Sequence, residues 1–85
     1  MKSILKNILS ALSDKNIKFT DLRKLILDLG FSERIKGSHH IFFKKNITEI
    51  INLQSLKNGK AKAYQVRQVR NIIIKYELRK EEKNV

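Results

Sequence analysis

The sequence predicts an α+β domain in which helices flank a short antiparallel sheet. Three observations carry this. Apolar residues recur at helical spacing towards both ends of the chain. Between Ser32 and Gln54 the pattern shifts to short stretches rich in β-formers. Gly37-Ser38 interrupts that middle region as a two-residue hairpin turn would.

Ile4, Leu5, Ile8, Leu9 and Leu12 fall at i, i+1, i+4, i+5 and i+8, one stripe of a helix expected over Lys2 to Leu12, and Asp14-Lys15-Asn16 follows as a polar linker. A second helix begins at Thr20, which can cap it. Asp21 suits its positive end, and Leu22, Leu25, Ile26 and Leu29 form its apolar stripe. Gly30 stands just past the last turn, where a left-handed residue is needed, and Phe31 can fold back onto that turn. Ser32–Lys36, His39–Lys45 and Thr48–Leu53 then read as the strands of a meander, with Asn46 marking the second turn. In the middle strand Ile41, Phe42 and Phe43 put apolar groups on both faces. Either both faces are covered, one of them by a partner, or the faces are not assignable from sequence. Ser55–Lys62 is a polar loop around Asn58-Gly59. A final helix starts near Ala63, with Val66, Val69, Ile73 and Tyr76 in its stripe and Ile72 and Ile74 broadening it. The charged RKEEKN tail is expected to fray. The order is therefore a leading helix, then α-β-β-β-α, and a three-stranded antiparallel sheet with its helices on one face is the economical way to bury these stripes.

The 85 residues are expected to form one domain: 1–16 a helix and linker, 18–78 the core, 79–85 a charged tail. With no cysteine, disulfides and thiolate zinc sites are excluded. The longest apolar runs, such as Ile72-Ile73-Ile74, fall far short of the roughly 20 residues of a membrane span. The opening MKSILKNILSAL has the lysine and leucines of a secretory signal, but Lys6 and Asn7 interrupt it, and it reads as an amphipathic helix of a cytoplasmic protein.

Charge narrows the partners. Nineteen Lys and Arg against eight Asp and Glu give a net +11, which favours a polyanion or an acidic protein. No acid occurs between Ile50 and Tyr76, whereas Lys57, Lys60, Lys62, Arg67, Arg70 and Lys75 all lie there. A basic membrane-surface helix fits less well, since the Arg67–Arg70 stretch has no aromatic anchor on an apolar face.

The reactive inventory is sparse: no carboxylates are spaced for a paired acid/base site or a divalent ion, and no Gly-rich phosphate loop is present. What remains is Lys36-Gly37-Ser38-His39-His40. Histidine exchanges protons near neutral pH. Adjacent histidines on a strand face opposite sides, so one at most reaches a given site, which also argues against joint metal ligation. Lys36, Lys44 and Lys45 would attract phosphate and favour a neutral, basic imidazole, and the Gly37–His39 amides could point at a phosphate oxygen.

LILDLGFSERIKGSHHIFFKK followed by GKAKAYQVRQVRNIIIKYEL resembles the HicA toxin family, through Leu29-Gly30-Phe31 at a helix end and Gly37-Ser38-His39 opening the second strand. The resemblance covers roughly Lys18 to Leu78. It implies a fold like that of double-stranded RNA-binding domains and a cytoplasmic toxin that cleaves mRNA. It also implies no cofactor or metal, and an acidic HicB-type antitoxin as partner. His39 then corresponds to the catalytic histidine and Gly37 to the glycine shaping the turn before it. Many relatives carry Pro and often a second His near the end of the third strand, where this chain has Leu53-Gln54, so no second histidine is assigned a role. Lys36, Gly37, Ser38, Lys60, Lys62 and Arg67 are the expected RNA contacts. The rival expectation is a basic module that holds RNA without cutting it, resting on Lys60, Lys62 and Arg67. A third is a protein-interaction domain whose charge docks an acidic partner.

Overall fold

The computed structural model describes residues 3–79. Its elements are α1 (Ile4–Ser10), a 3-10 turn (Asp14–Asn16), α2 (Phe19–Asp28), β1 (Ser32–Lys36), β2 (His39–Phe43), β3 (Ile51–Gln54) and α3 (Ala63–Tyr76). The α+β order with a leading helix is as expected. Lys2 and the tail beyond Arg79 lie outside the described residues.

The sheet is an antiparallel meander in the order β1-β2-β3. Lys36 pairs with His39 across the two-residue turn, where Gly37 takes φ +60 at the first loop position, the place a type II′ turn reserves for glycine. Phe42 pairs with Glu33 on one side and Ile51 on the other, and His40 pairs with Ile35 and Leu53. Phe42, Ile51 and Leu53 are buried, and with Leu22, Leu25 and Ile26 of α2 and Val66, Val69 and Ile73 of α3 they belong to one core. The helices cover that face of the sheet. The other face, carrying Arg34, Lys36, His39, Ile41, Phe43 and Asn52, is open.

Local chemistry sets the element ends, and several differ from expectation. α1 stops at Ser10, whose hydroxyl donates to the Asn7 carbonyl (2.8 Å) while its oxygen accepts from the Leu12 N–H (3.4 Å). Ala11 turns left-handed (φ +61), and Leu12, expected in the apolar stripe, is 87% exposed. Leu9 is exposed too, so Ile8 anchors this helix, supported by half-buried Ile4 and Leu5. Thr20 does not cap α2. The helix starts at Phe19 with Lys18 in the capping position and no capping side chain, because the otherwise orphan Phe19 N–H donates to the Gly59 carbonyl (3.0 Å). At the other end Phe31 N–H reaches Ile26 O (3.3 Å) and Gly30 N–H reaches Leu27 O (3.0 Å), with Gly30 at φ +96, which is a Schellman motif. β2 ends at Phe43 rather than Lys45, since Asn46 turns left-handed (φ +71). β3 runs over Ile51–Gln54, not Thr48–Leu53: Glu49 leaves the ladder to meet Lys75 and Tyr76 of α3. Ile74 is exposed and does not widen the α3 stripe, whereas Ile72 does.

Two polar ties hold the periphery. Arg70 grips Asp14 with both guanidinium nitrogens (2.8 and 3.1 Å) and donates to the Ile8 carbonyl (3.2 Å), fastening α1 and the 3-10 turn to α3. Lys75 Nζ (2.8 Å) and the Tyr76 hydroxyl both donate to the Glu49 carboxylate, and hold it from the ordinary 4.5 down to about 2, Lys75 being the larger cause. Among the described residues no helix is long and apolar enough to cross a membrane.

Two predictions follow from these ties. Arg70 and Asp14 are only 13% and 16% exposed. Arg70→Ala should therefore lower unfolding free energy by about 3 kcal/mol in urea titrations, by stranding the Asp14 carboxylate. Adding Asp14→Ala to that variant should recover part of the loss. The Glu49 tie is expected to depend on acid in a fixed direction. A depressed folded pKa stabilises above the ordinary 4.5, and the effect is lost as pH falls towards about 2. The Tm difference between the parent and Glu49→Gln should close across that interval, and a gap that persists at the acid end would contradict it.

Candidate functional site

The pleat of β2 separates the two histidines. Phe42 is fully buried, so His40, two residues away, faces the helices, while His39 faces the open side with Ile41. His40 is half-buried, with its ring edge-on to Phe19 (4.9 Å between centroids) and parallel to Phe42 at 6.5 Å. Its Nδ1 lies 2.8 Å from Glu33 Oε2. The same carboxylate receives Arg23 Nε (2.7 Å) and Nη2 (2.6 Å), and Arg23, then His40, hold it below the usual carboxylate range. His40 thus closes an Arg23–Glu33–His40 network beneath the sheet and has no access to the open face.

His39 has different company. Its Nδ1 sits 3.1 Å from Asn52 Oδ1 on β3. A side-chain amide oxygen only accepts, so Nδ1 carries the proton and donates it. In the neutral ring this leaves the Nε2 lone pair free. Lys36, Gly37, His39, Ile41 and Asn52 line a shallow depression at this end of the sheet. Lys36 is the cross-strand neighbour of His39, and Gln54 is its partner on β3.

Gln54 connects the depression to α3. Its Nε2 donates to Ser38 Oγ (2.9 Å), and its Oε1 accepts from Lys62 Nζ (3.2 Å). Buried Gln65, in the first turn of α3, accepts from the Gln54 backbone N–H (3.3 Å) and donates to the Asn52 carbonyl (3.2 Å). Its amide therefore satisfies the outer edge of β3 as a neighbouring strand would.

The expected site residues separate accordingly. Lys36, Gly37, Ser38 and His39 come together at the hairpin, and Lys62 joins them through Gln54. Lys60 does not: its ammonium donates to Asn16 Oδ1, and its backbone bridges to Lys18. Arg67 lies further along α3, in a groove with Tyr64 and Lys75. Asn52, Gln54 and Gln65 are additions that sequence reasoning missed. The alternation Ile51-Asn52-Leu53-Gln54 places two amides on the open side of β3, and that period-two pattern was their available signal. Among the described residues no three His, Cys, Asp or Glu side chains cluster as metal ligands.

No protein family, curated protein or solved structure matched this chain in comparisons with known proteins.

The two histidines should respond oppositely to truncation in urea unfolding. His40→Ala removes ring packing and a hydrogen bond from a carboxylate 9% exposed, and should cost about 1–3 kcal/mol. His39→Ala on the open face should stay within about 0.5 kcal/mol of the parent. Equal losses would refute the division between a histidine packed under the sheet and one on its open face.

Proposed function

We propose that the chain is a cytoplasmic toxin of the HicA type. In this reading it is a metal-independent endoribonuclease that cuts mRNA with His39 as its proton-transfer group, and an acidic HicB-type protein neutralises it. The observation that carries the reading is the Asn52–His39 contact. It fixes the tautomer of a histidine on an open, cationic sheet face and leaves Nε2 for a substrate.

The chemistry follows from RNA itself. A 2′-hydroxyl supplies the nucleophile that this protein lacks. The 2′-oxygen bonds to phosphorus, the bond from phosphorus to the 5′-oxygen breaks, and the products are a 2′,3′-cyclic phosphate and a 5′-hydroxyl. Neutral His39 accepts the 2′-hydroxyl proton at Nε2, or as imidazolium gives one to the leaving 5′-oxygen; either transfer contributes about 10²–10⁴-fold. Lys36, which lines the depression, and Lys62, joined to it through Gln54, stabilise charge on the phosphorane, together with the hairpin amides from Gly37 to His39. The resemblance over Lys18 to Leu78 supports the same assignment, and the acidic partner is the natural ligand of a +11 chain. The rival reading, a non-catalytic RNA-binding module, draws support from the site's single titratable ring.

Purified protein should cleave RNA in EDTA and leave the termini named above. RNA with a 2′-deoxy residue at the cut should resist. His39→Ala should abolish cleavage while circular dichroism and antitoxin binding stay unchanged, and His40→Ala should cut in proportion to its folded fraction. A folded His39→Ala protein that cuts at the parental rate would remove His39 from the chemistry, and a parent that binds RNA without cutting it would favour the binding module.

A further inference from the structure

Beside the His39 depression runs a second surface that the cleavage chemistry does not use. Tyr64, Arg67, Asn71 and Lys75 recur at helical spacing on α3 and, with Glu49 and Ile72, line a groove. Tyr64 to Lys75 spans about 16 Å of helix axis at 1.5 Å per residue. The groove begins next to the depression: the Tyr64 hydroxyl is 3.3 Å from Gln65 Nε2, and the same nitrogen donates to the carbonyl of Asn52, whose side chain holds His39. Tyr64 is 57% exposed, so it is accessible to a ligand, with an apolar ring and a polar tip.

The lining decides what fits. Its one acid, Glu49, is neutralised by Lys75 and takes a hydrogen bond from the Tyr76 hydroxyl, so Arg67 leaves the groove positive. A protein strand would seek the outer edge of β3, but the Gln65 amide already holds Asn52 O and Gln54 N–H there. A partner helix would need apolar anchors, yet the groove's aliphatic residue, Ile72, is 4% exposed and committed to the core. An exposed aromatic ring followed by cations is the pattern that binds unpaired bases and their phosphates.

We propose that the groove is a subsite for single-stranded RNA flanking the cleaved bond, with Tyr64 stacking one base and Arg67 holding a phosphate. The proposal rests on the ribonuclease reading only in that the bound strand is the one His39 cuts. It selects unpaired over duplex RNA, because a paired base offers no free face to Tyr64.

The probe is a 2′-O-methyl oligonucleotide, which binds but lacks the nucleophilic hydroxyl, used with the full chain in anisotropy titrations. Tyr64→Ala should raise the Kd for the single strand about tenfold, or about 1.4 kcal/mol. It should leave the salt slope and the affinity for a duplex of the same sequence unchanged. Tyr64→Phe keeps the ring and should stay within about twofold of the parent, and in the parent the Tyr64 ring protons should shift upfield on binding. Arg67→Ala should lower the salt slope by about 0.7, one phosphate contact on a single strand. Parental affinity in Tyr64→Ala, an equal loss on duplex, or no measurable RNA binding by the parent would each overturn the subsite. So would a Tyr64→Ala change confined to binding of an acidic protein, which would assign the groove to that partner instead. The two readings fail separately. Tyr64-dependent binding with no cleavage of unmodified RNA sinks the ribonuclease alone, and cleavage with Tyr64-independent binding sinks the subsite alone.

Discussion

The alternation of β2 is the constraint on which the rest of the molecule depends. Phe42 lies in the middle strand and has no exposed surface, so one face of that strand is fixed inward. Every neighbour then has an assigned side. His40 must meet the helices, and is tolerated there because Glu33 and Arg23 meet it. His39 must meet solvent. A slip of one residue would exchange the two rings, burying His39 away from Glu33 and freeing His40, so the same packing that stabilises the domain selects which imidazole is available.

The polar groups around His39 are mostly neutral amides. Asn52 orients the ring, Gln54 joins Ser38 to Lys62, and Gln65 ties the β3 backbone to α3. An amide offers both a donor and an acceptor without adding negative charge. Carboxylates in these positions would serve as hydrogen-bond acceptors too, but they would oppose an incoming phosphate. The carboxylates that do structural work, Asp14, Glu33 and Glu49, are each paired with a cation and set elsewhere. Structural carboxylates are thus kept away from His39 in a chain that has few acids to spare.

Much of this architecture was legible in the sequence, for reasons that can be stated residue by residue. Leu22, Leu25, Ile26 and Leu29 announced a helix, and Gly30 its end, because spacing and a left-handed stop are local properties. Gly37-Ser38 placed the hairpin and so set Lys36 across from His39. Features that depended on distant partners were not legible. Thr20 looked like a cap because the sequence does not reveal that the Gly59 carbonyl will take the Phe19 N–H. Thr48 to Ile50 looked like strand because the pull of Lys75 and Tyr76 on Glu49 spans more than twenty residues. Lys60 and Lys62 looked alike, yet one reaches Asn16 and the other Gln54. Asn52 shows the same limit at the site: its type is unremarkable, and its place beside His39 exists only after β3 has paired.

The clasp of Arg70 on Asp14 and Ile8 also bears on the order in which the molecule is assembled. α1 has seven residues, well under the roughly 12–15 that an isolated helix needs to persist in water. Part of its stability is borrowed from α3, where Arg70 reaches across 62 residues to Ile8 and 56 to Asp14. α1 also packs on α2, but the Arg70 clasp cannot close until α3 has been made. α2 and the β1–β2 hairpin are built from near neighbours and can organise earlier. α1 and α3 are then clasped over a centre already formed, so the tie that fixes α1 closes after α2 and the hairpin have organised.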